Sequence, residues 1–160
     1  METATFQQIQ DAHAGDVYRF ARYLTGSDDA AGDIAAETFL RAWAGRSSIR
    51  VATAKAYLLA IARNLAHDRS RFARRWATGA MPERSVPPDA DARLELERAL
   101  QAVRDLPPAY GEPLMLVASG LSYEEAARVL GVTVGTMKIR VHRARLMLTQ
   151  AAGAPQRSVR

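Results

Sequence analysis

The stretch LSYEEAARVLGVTVGTMKIRVHRARLML, residues 121–148, returns an apolar side chain every three or four positions along its whole length. That period belongs to an amphipathic helix, whose successive turns stack residues i, i+3 and i+4 on one face; a strand alternates every second residue. The same rhythm recurs upstream, no alternating β-branched run interrupts it, and Ala, Leu, Arg and Glu dominate. The expected fold class is therefore all-α. In this stretch the packing pattern coexists with charge: after Gly131 it carries four Lys or Arg and no acid. Such a helix can be held by its back while its front meets an anion.

Its punctuation predicts two helices and a tight turn. Ser122, with Glu125 three residues later, reads as a capping box that satisfies free amides at a helix start. Ala126, Ala127, Val129 and Leu130 supply a stripe, and Gly131 is the expected left-handed stop. Thr133 is placed to cap the next helix. There, Val134, Met137, Val141, Ala144 and Leu148 share one face at spacings of 3, 4, 3 and 4. The opposite face shows Thr136, Ile139, His142 and Arg143, flanked by Lys138 and Arg140. This is a helix-turn-helix pattern, and its front suits a DNA major groove, where Arg and Lys reach guanine acceptors or phosphates. A solvated basic face on a structural helix is the bland alternative; cap, glycine turn and acid-free helix together favour DNA. Two supporting helices are expected upstream, one ending before Pro107–Pro108 and one ending at Gly120.

Charge divides the chain. Residues 1–77 carry 11 basic and 8 acidic side chains, residues 78–97 carry 2 and 5, and residues 98–160 carry 9 and 4, for a net charge of +5. A surplus of that sign suits a polyanionic partner. The segment TGAMPERSVPPDADA, residues 78–92, is rich in Gly, Pro and Ala and without periodicity, so it reads as a flexible linker. The expected organisation is a helical domain over 1–77, the linker over 78–92, a helix-turn-helix domain over 93–150 and a disordered tail over 151–160.

In the first domain, 16–25 reads as a helix stopping at Gly26. In DIAAETFLRAW, residues 33–43, Ala35, Phe39, Ala42 and Trp43 face one way and Asp33, Glu37 and Arg41 the other. That second face is either a solvated stripe with a Glu37–Arg41 pair or a docking surface for a basic partner. The longest pattern is AKAYLLAIARNLAHDRSRFARR, residues 54–75, with Ala54, Leu58, Ile61, Leu65 and Phe72 as its expected core line. Arg63, His67, Arg71 and Arg74 gather on an outer face, with Tyr57 and Asn64 at its edge, and Arg75 ends it. Five Arg against one Asp between 63 and 75 make a second phosphate-binding candidate. Tyr57 suits a core or a stacking role, and Asn64 a base edge or plain solvent.

Taken together, D-x-x-x-E-T-F-L-R-A-W, Y-L-L-x-I-A-R-N-L-x-x-D-x-x-R, a Pro-rich linker, L-P, and L-S-Y-E-E-A-A-x-x-L-G-V-x-V-G-T-M-K-x-R-V-H-R-A-R-x-x-L resemble the extracytoplasmic-function sigma factors of bacterial RNA polymerase, from about Tyr18 to Leu148. The resemblance implies two helical domains, regions 2 and 4. Region 2 would grip the clamp helices of the polymerase largest subunit and melt the −10 promoter element. Region 4 would read the −35 element and sit on the polymerase flap. By position, Asp33, Glu37 and Arg41 would be the polymerase-binding residues. Tyr57, Arg63, Asn64, Arg71, Arg74 and Arg75 would bind −10 DNA. Thr136, Lys138, Ile139, Arg140, His142 and Arg143 would bind −35 DNA. An anti-sigma protein is the inhibitor the family implies.

Two positions of the docking motif depart from the family pattern: Gly32 stands for an acid and Ala36 for Gln. Ile139 stands where Ser is common, and is expected to pack on a thymine methyl. A free-standing helix-turn-helix regulator is the competing function. An enzyme is not expected: the three His, at 13, 67 and 142, are scattered, there is no Cys, and no phosphate loop or nucleophile motif occurs. No cofactor or metal is expected. With no basic-then-apolar leader and no apolar run of membrane length, the expected location is the cytoplasm.

Overall fold

The computed structural model describes residues 1–75 and 90–153. Among the described residues there are seven α-helices, two short 3-10 turns and no strand, so the all-α expectation holds. Residues 78–89 of the expected linker and 154–160 of the expected tail lie outside the described residues. Contacts divide the chain into two compact units, Met1–Leu100 and Gln101–Arg160.

The first unit packs three long helices on one another: α1 (Thr3–Thr25), α2 (Asp28–Ala44) and α3 (Ala54–Arg75). Phe20 of α1, Ile34 of α2 and Leu58 and Leu59 of α3 are at most 1% exposed. Each such side chain contributes roughly 1.5–3 kcal/mol by leaving water. Helix α1 is much longer than the expected 16–25. Phe6, Ile9, Val17 and Phe20 carry its buried stripe from the first turn, and Phe6 meets Trp43 edge to face at 5.1 Å. That packing outweighs Gly15, whose presence inside a helix costs about 1 kcal/mol relative to Ala. Gly26, at φ 70°, ends α1 as expected.

Helix α2 starts at Asp28, with the Ser27 hydroxyl accepting from Ala30 N at 3.3 Å and two acids in its first turn. Its buried face is turned from the expected one. Ala31, Ile34, Thr38 and Ala42 are buried, while Ala35, Phe39 and Trp43 are half-buried. Thr38 tolerates full burial because its hydroxyl donates to Ile34 O at 2.7 Å. Helix α3 has the expected bounds, but its core line is Ala54, Leu58, Leu59, Ala62, Leu65 and Ala66. Phe72 is 67% exposed rather than buried: burial along α3 stops at Ala66.

Helix α4 (Ala90–Arg104) contributes its first part to this unit. Leu100 is buried, and Glu97 accepts from the Arg22 guanidinium at 2.6 Å. Arg22 is itself buried and donates through Nε to Asp28 at 2.9 Å, so its charge is matched on two sides. Tyr18 also donates to Asp28, and this hydrogen bond, followed by Arg22, holds the Asp28 carboxyl below the usual carboxylate range despite partial burial.

The second unit packs α7 (Val134–Gly153) on α5 (Pro108–Ala118) and α6 (Tyr123–Leu130). Helix α5 takes in Pro108–Tyr110, which were expected to follow the preceding helix; proline at a first helical position loses no hydrogen bond. Leu116, Met137, Val141, Ala144 and Ala126 are fully buried, the α7 members being the middle of the expected stripe. The capping box is present in both directions: Ser122 accepts from Glu125 N at 3.1 Å and Glu125 accepts from Ser122 N at 3.2 Å. Gly131 closes α6 at φ 68° with open space around its Cα. Ser122→Ala is expected to cost about 1 kcal/mol, and Gly131→Ala about 1–2 kcal/mol through backbone strain alone. Urea denaturation of the full chain measures both, and an unchanged midpoint for Ser122→Ala would show that the cap contributes nothing.

Candidate nucleic-acid and docking surfaces

On the outer face of α2, Asp33, Glu37 and Arg41 are brought together, with side chains 69%, 48% and 56% exposed. Glu37 accepts from Arg41 Nε at 3.1 Å, the pair that i, i+4 spacing predicts. Asp33 is held from another helix: Arg69 of α3 reaches its Oδ2 at 3.4 Å and the Ala30 carbonyl at 3.5 Å. Ion pairs this exposed contribute at most about 1 kcal/mol, so both carboxylates remain open to a stronger cationic partner. Leu40, 65% exposed, adds an apolar side chain beside Glu37 and Arg41. Arg69 could not be found from the spacing within α2, because it acts across helices. A Cβ at Gly32 would meet nothing within 4 Å, so the position has room for a longer side chain.

The second surface runs along α3. Asn64, Arg71, Arg74 and Arg75 are exposed and Tyr57 and Arg63 half-buried. From Tyr57 to Arg75 the row spans about 27 Å at 1.5 Å per residue. Tyr57 is neither wholly core nor wholly free. Its hydroxyl lies 2.9 Å from where a Cβ on Gly45 would stand, so the turn after α2 must be glycine for the ring to sit there. That turn is braced by Arg46, whose guanidinium lies 3.9 Å over Trp43 and donates to its carbonyl at 2.9 Å.

The third surface, in the second unit, is the front of α7. Lys138, His142 and Arg143 are exposed, Ile139 is 54% exposed, and Thr136 and Arg140 are half-buried at its margins. Thr133 Oγ1 accepts from Thr136 N at 3.1 Å and donates to Thr136 Oγ1 at 2.9 Å. Leu146, 47% exposed two turns beyond Ile139, extends this face and falls at an unspecified position of the motif. Among the described residues, no group of three or more His, Asp or Glu gathers as a metal site, and no helix is long and apolar enough to cross a membrane.

Residues 9–78 match the sigma-70 region 2 family and residues 96–148 the sigma-70 region 4 family. The chain is 42% identical over 140 residues to the ECF RNA polymerase sigma factor SigC of Mycobacterium tuberculosis, covering 81% of this chain and 74% of that one. It is 41% identical over 136 residues to EcfG of Rhodopseudomonas palustris, covering 81% and 75%. The chain belongs to the extracytoplasmic-function (ECF) sigma factors of RNA polymerase. Its fold is similar to that of the sigma factor RpoE from Bartonella quintana, solved in complex with the anti-sigma factor NepR. That likeness has a TM-score of 0.79 at 30% identity and covers 95% of this chain and 99% of that one. CnrH, solved with the cytosolic domain of CnrY, is similar at a TM-score of 0.73 and 27% identity, covering 94% and 89%.

In this sigma factor the α2 and α3 surfaces both lie within the stretch matching region 2, and the α7 surface within that matching region 4. Gly45→Ala is expected to displace the Tyr57 ring at a cost of about 1–3 kcal/mol, the usual penalty of overpacking. Tyr57 ring-proton shifts and a denaturation midpoint check it; an unmoved ring at full stability would show the close approach to be slack.

Proposed function

We propose that this ECF sigma factor anchors to core RNA polymerase through Asp33, Glu37 and Arg41, and reads a promoter at two places. The α3 row, Tyr57, Arg63, Asn64, Arg71, Arg74 and Arg75, takes the −10 element, with Asn64 on a base edge and the arginines along phosphates. The α7 front, Thr136, Lys138, Ile139, Arg140, His142 and Arg143, takes the −35 element. The expected boundary at residue 93 falls inside α4, whose first part belongs with Met1–Leu100, so the two compact units meet that division at Gln101 instead. The observation that carries this reading is the pairing, in one family member, of two basic helix faces with a separate exposed acidic ridge. A regulator acting without polymerase has no use for that ridge. The sigma factor performs no catalysis of its own, needs no cofactor, and acts in the cytoplasm beside the polymerase. An anti-sigma protein, as in the complex of its structural relative RpoE from Bartonella quintana, masks these surfaces when the regulon is silent.

Run-off transcription with core polymerase tests this directly: promoter-dependent transcripts are expected only when the protein is added. Tight promoter binding without polymerase, and no transcripts with it, would overturn the reading in favour of a free-standing regulator. Reversing both acids, Asp33→Lys with Glu37→Lys, is expected to weaken holoenzyme assembly about 100-fold, at roughly 1.4 kcal/mol per position. Fluorescence-anisotropy titration of core polymerase measures it, and parental affinity in the double variant would refute the anchor.

Ile139, apolar and half in water, is expected to bury its side chain against a thymine methyl. Ile139→Ser then loses about fourfold in preference for that thymine, the value of one buried methyl at ~0.8 kcal/mol. Promoter competition with each −35 position varied in turn measures it; an unchanged preference everywhere removes the contact.

A further inference from the structure

Arg69 continues the core line of α3 past the point where that line is buried. At roughly 100° per residue it falls within about 40° of Leu58, Ala62 and Leu65. Those three are buried, while the Arg69 side chain is 53% exposed. It points away from the basic row: Asn64, Arg71 and Arg74 lie about 140–160° round the helix. Helix α2 packs on α3, and the Arg69 guanidinium reaches across to it. It donates through Nη2 to Asp33 Oδ2 at 3.4 Å and through Nη1 to the Ala30 carbonyl at 3.5 Å. This pair differs from the buried Arg22 network, whose bonds to Asp28 and Glu97 are 2.9 and 2.6 Å. Both of its members face water, and 3.4 Å is longer than the ~2.8 Å of a tight charge-assisted hydrogen bond. Such a pair adds little to the fold and exchanges readily.

We propose that Arg69 is an internal competitor for the polymerase at Asp33, and so sets how tightly the sigma factor docks. This rests on the sigma-factor function above and concerns the regulation of that same ridge. Asp33 and Glu37 bring two negative charges to it. Arg41, 3.1 Å from Glu37, and Arg69, 3.4 Å from Asp33, bring two positive ones, so these four groups sum to zero. A cationic side chain of the polymerase therefore reaches Asp33 only by displacing a guanidinium already there. The competitor belongs to the same chain, so dilution does not remove it, and the energy of its pair is subtracted from the energy of docking. The two arginines are not equivalent. Arg41 stands on the ridge itself, one turn from Glu37, and stays available to the partner. Arg69 comes from α3, so a partner that takes Asp33 must break a contact between two helices. The second prong, on the carbonyl three residues before Asp33, holds the guanidinium against that turn of α2.

The test titrates core polymerase against the full-length sigma factor, read by fluorescence anisotropy. Arg69→Gln removes the charge and is expected to bind about fivefold more tightly at low salt, the equivalent of about 1 kcal/mol, the upper value of an exposed ion pair. The gain should shrink as salt rises, because exposed charges are screened over about 10 Å at about 0.1 M. Arg69→Lys keeps the charge and should stay near parental affinity. In an Asp33→Asn background, Arg69→Gln should bring no gain, because the pair it breaks is already gone. Unchanged binding by Arg69→Gln overturns the inference. Weaker binding overturns it too, since Arg69 would then itself grip the polymerase. So does a gain of equal size in the Asp33→Asn background. If reversing Asp33 and Glu37 leaves parental affinity, the anchor and this inference fall together. If that reversal weakens binding while Arg69→Gln changes nothing, this inference falls alone.

Discussion

The packing of α1, α2 and α3 around Phe20, Ile34, Leu58 and Leu59 is the contact on which the first unit's function depends. Two exposed faces inherit their placement from it. The acidic ridge is the back of α2 because Ala31, Ile34, Thr38 and Ala42 face inward. The basic row is the back of α3 because Leu58, Leu59, Ala62 and Leu65 do. Close-packed interiors transmit displacement, so a shifted core side chain would alter the spacing between the acidic ridge of α2 and the basic row of α3. Arg69 makes that proximity explicit: an arginine of α3 reaches an acid of the α2 ridge.

The second unit uses less area and more punctuation. Helix α6 is only eight residues long and would be marginal alone. Its capping box, the left-handed Gly131 and the burial of Ala126 and Ala127 compensate. Helix α7 then packs through Met137, Val141 and Ala144, which leaves its basic front preorganised. Small side chains at Ala126 and Ala144 let the helices approach closely. A preformed front loses less conformational entropy on meeting DNA than one ordered on contact.

Much of this was legible in the residues. Ala54–Arg75 is the helix its periodicity marked, Ser122 and Glu125 form the cap their spacing marked, and Gly131 has the backbone its place marked. The exposure of Asp33, Glu37, Asn64, Lys138, His142 and Arg143 also followed from the wheel. Periodicity failed where burial depends on a partner's extent. Phe72 lies on the right line but past the end of the core. Thr38 belongs to no apolar line, yet a hydroxyl bonded to its own helix packs well. The start of α1 was missed because Phe6 and Ile9 earn their place only against α2 and its neighbours.

The sequence by itself determined the helical class, the helix stops at Gly26 and Gly131, the sign of charge on each face and the family, because these depend on residues a few positions apart. Only the tertiary structure decided which residues meet across long separations: Arg22 with Glu97, Arg69 with Asp33, Gly45 beneath Tyr57. It also decided where burial stops. Local spacing sets the direction in which a side chain points; whether another helix waits there is a property of the packed whole.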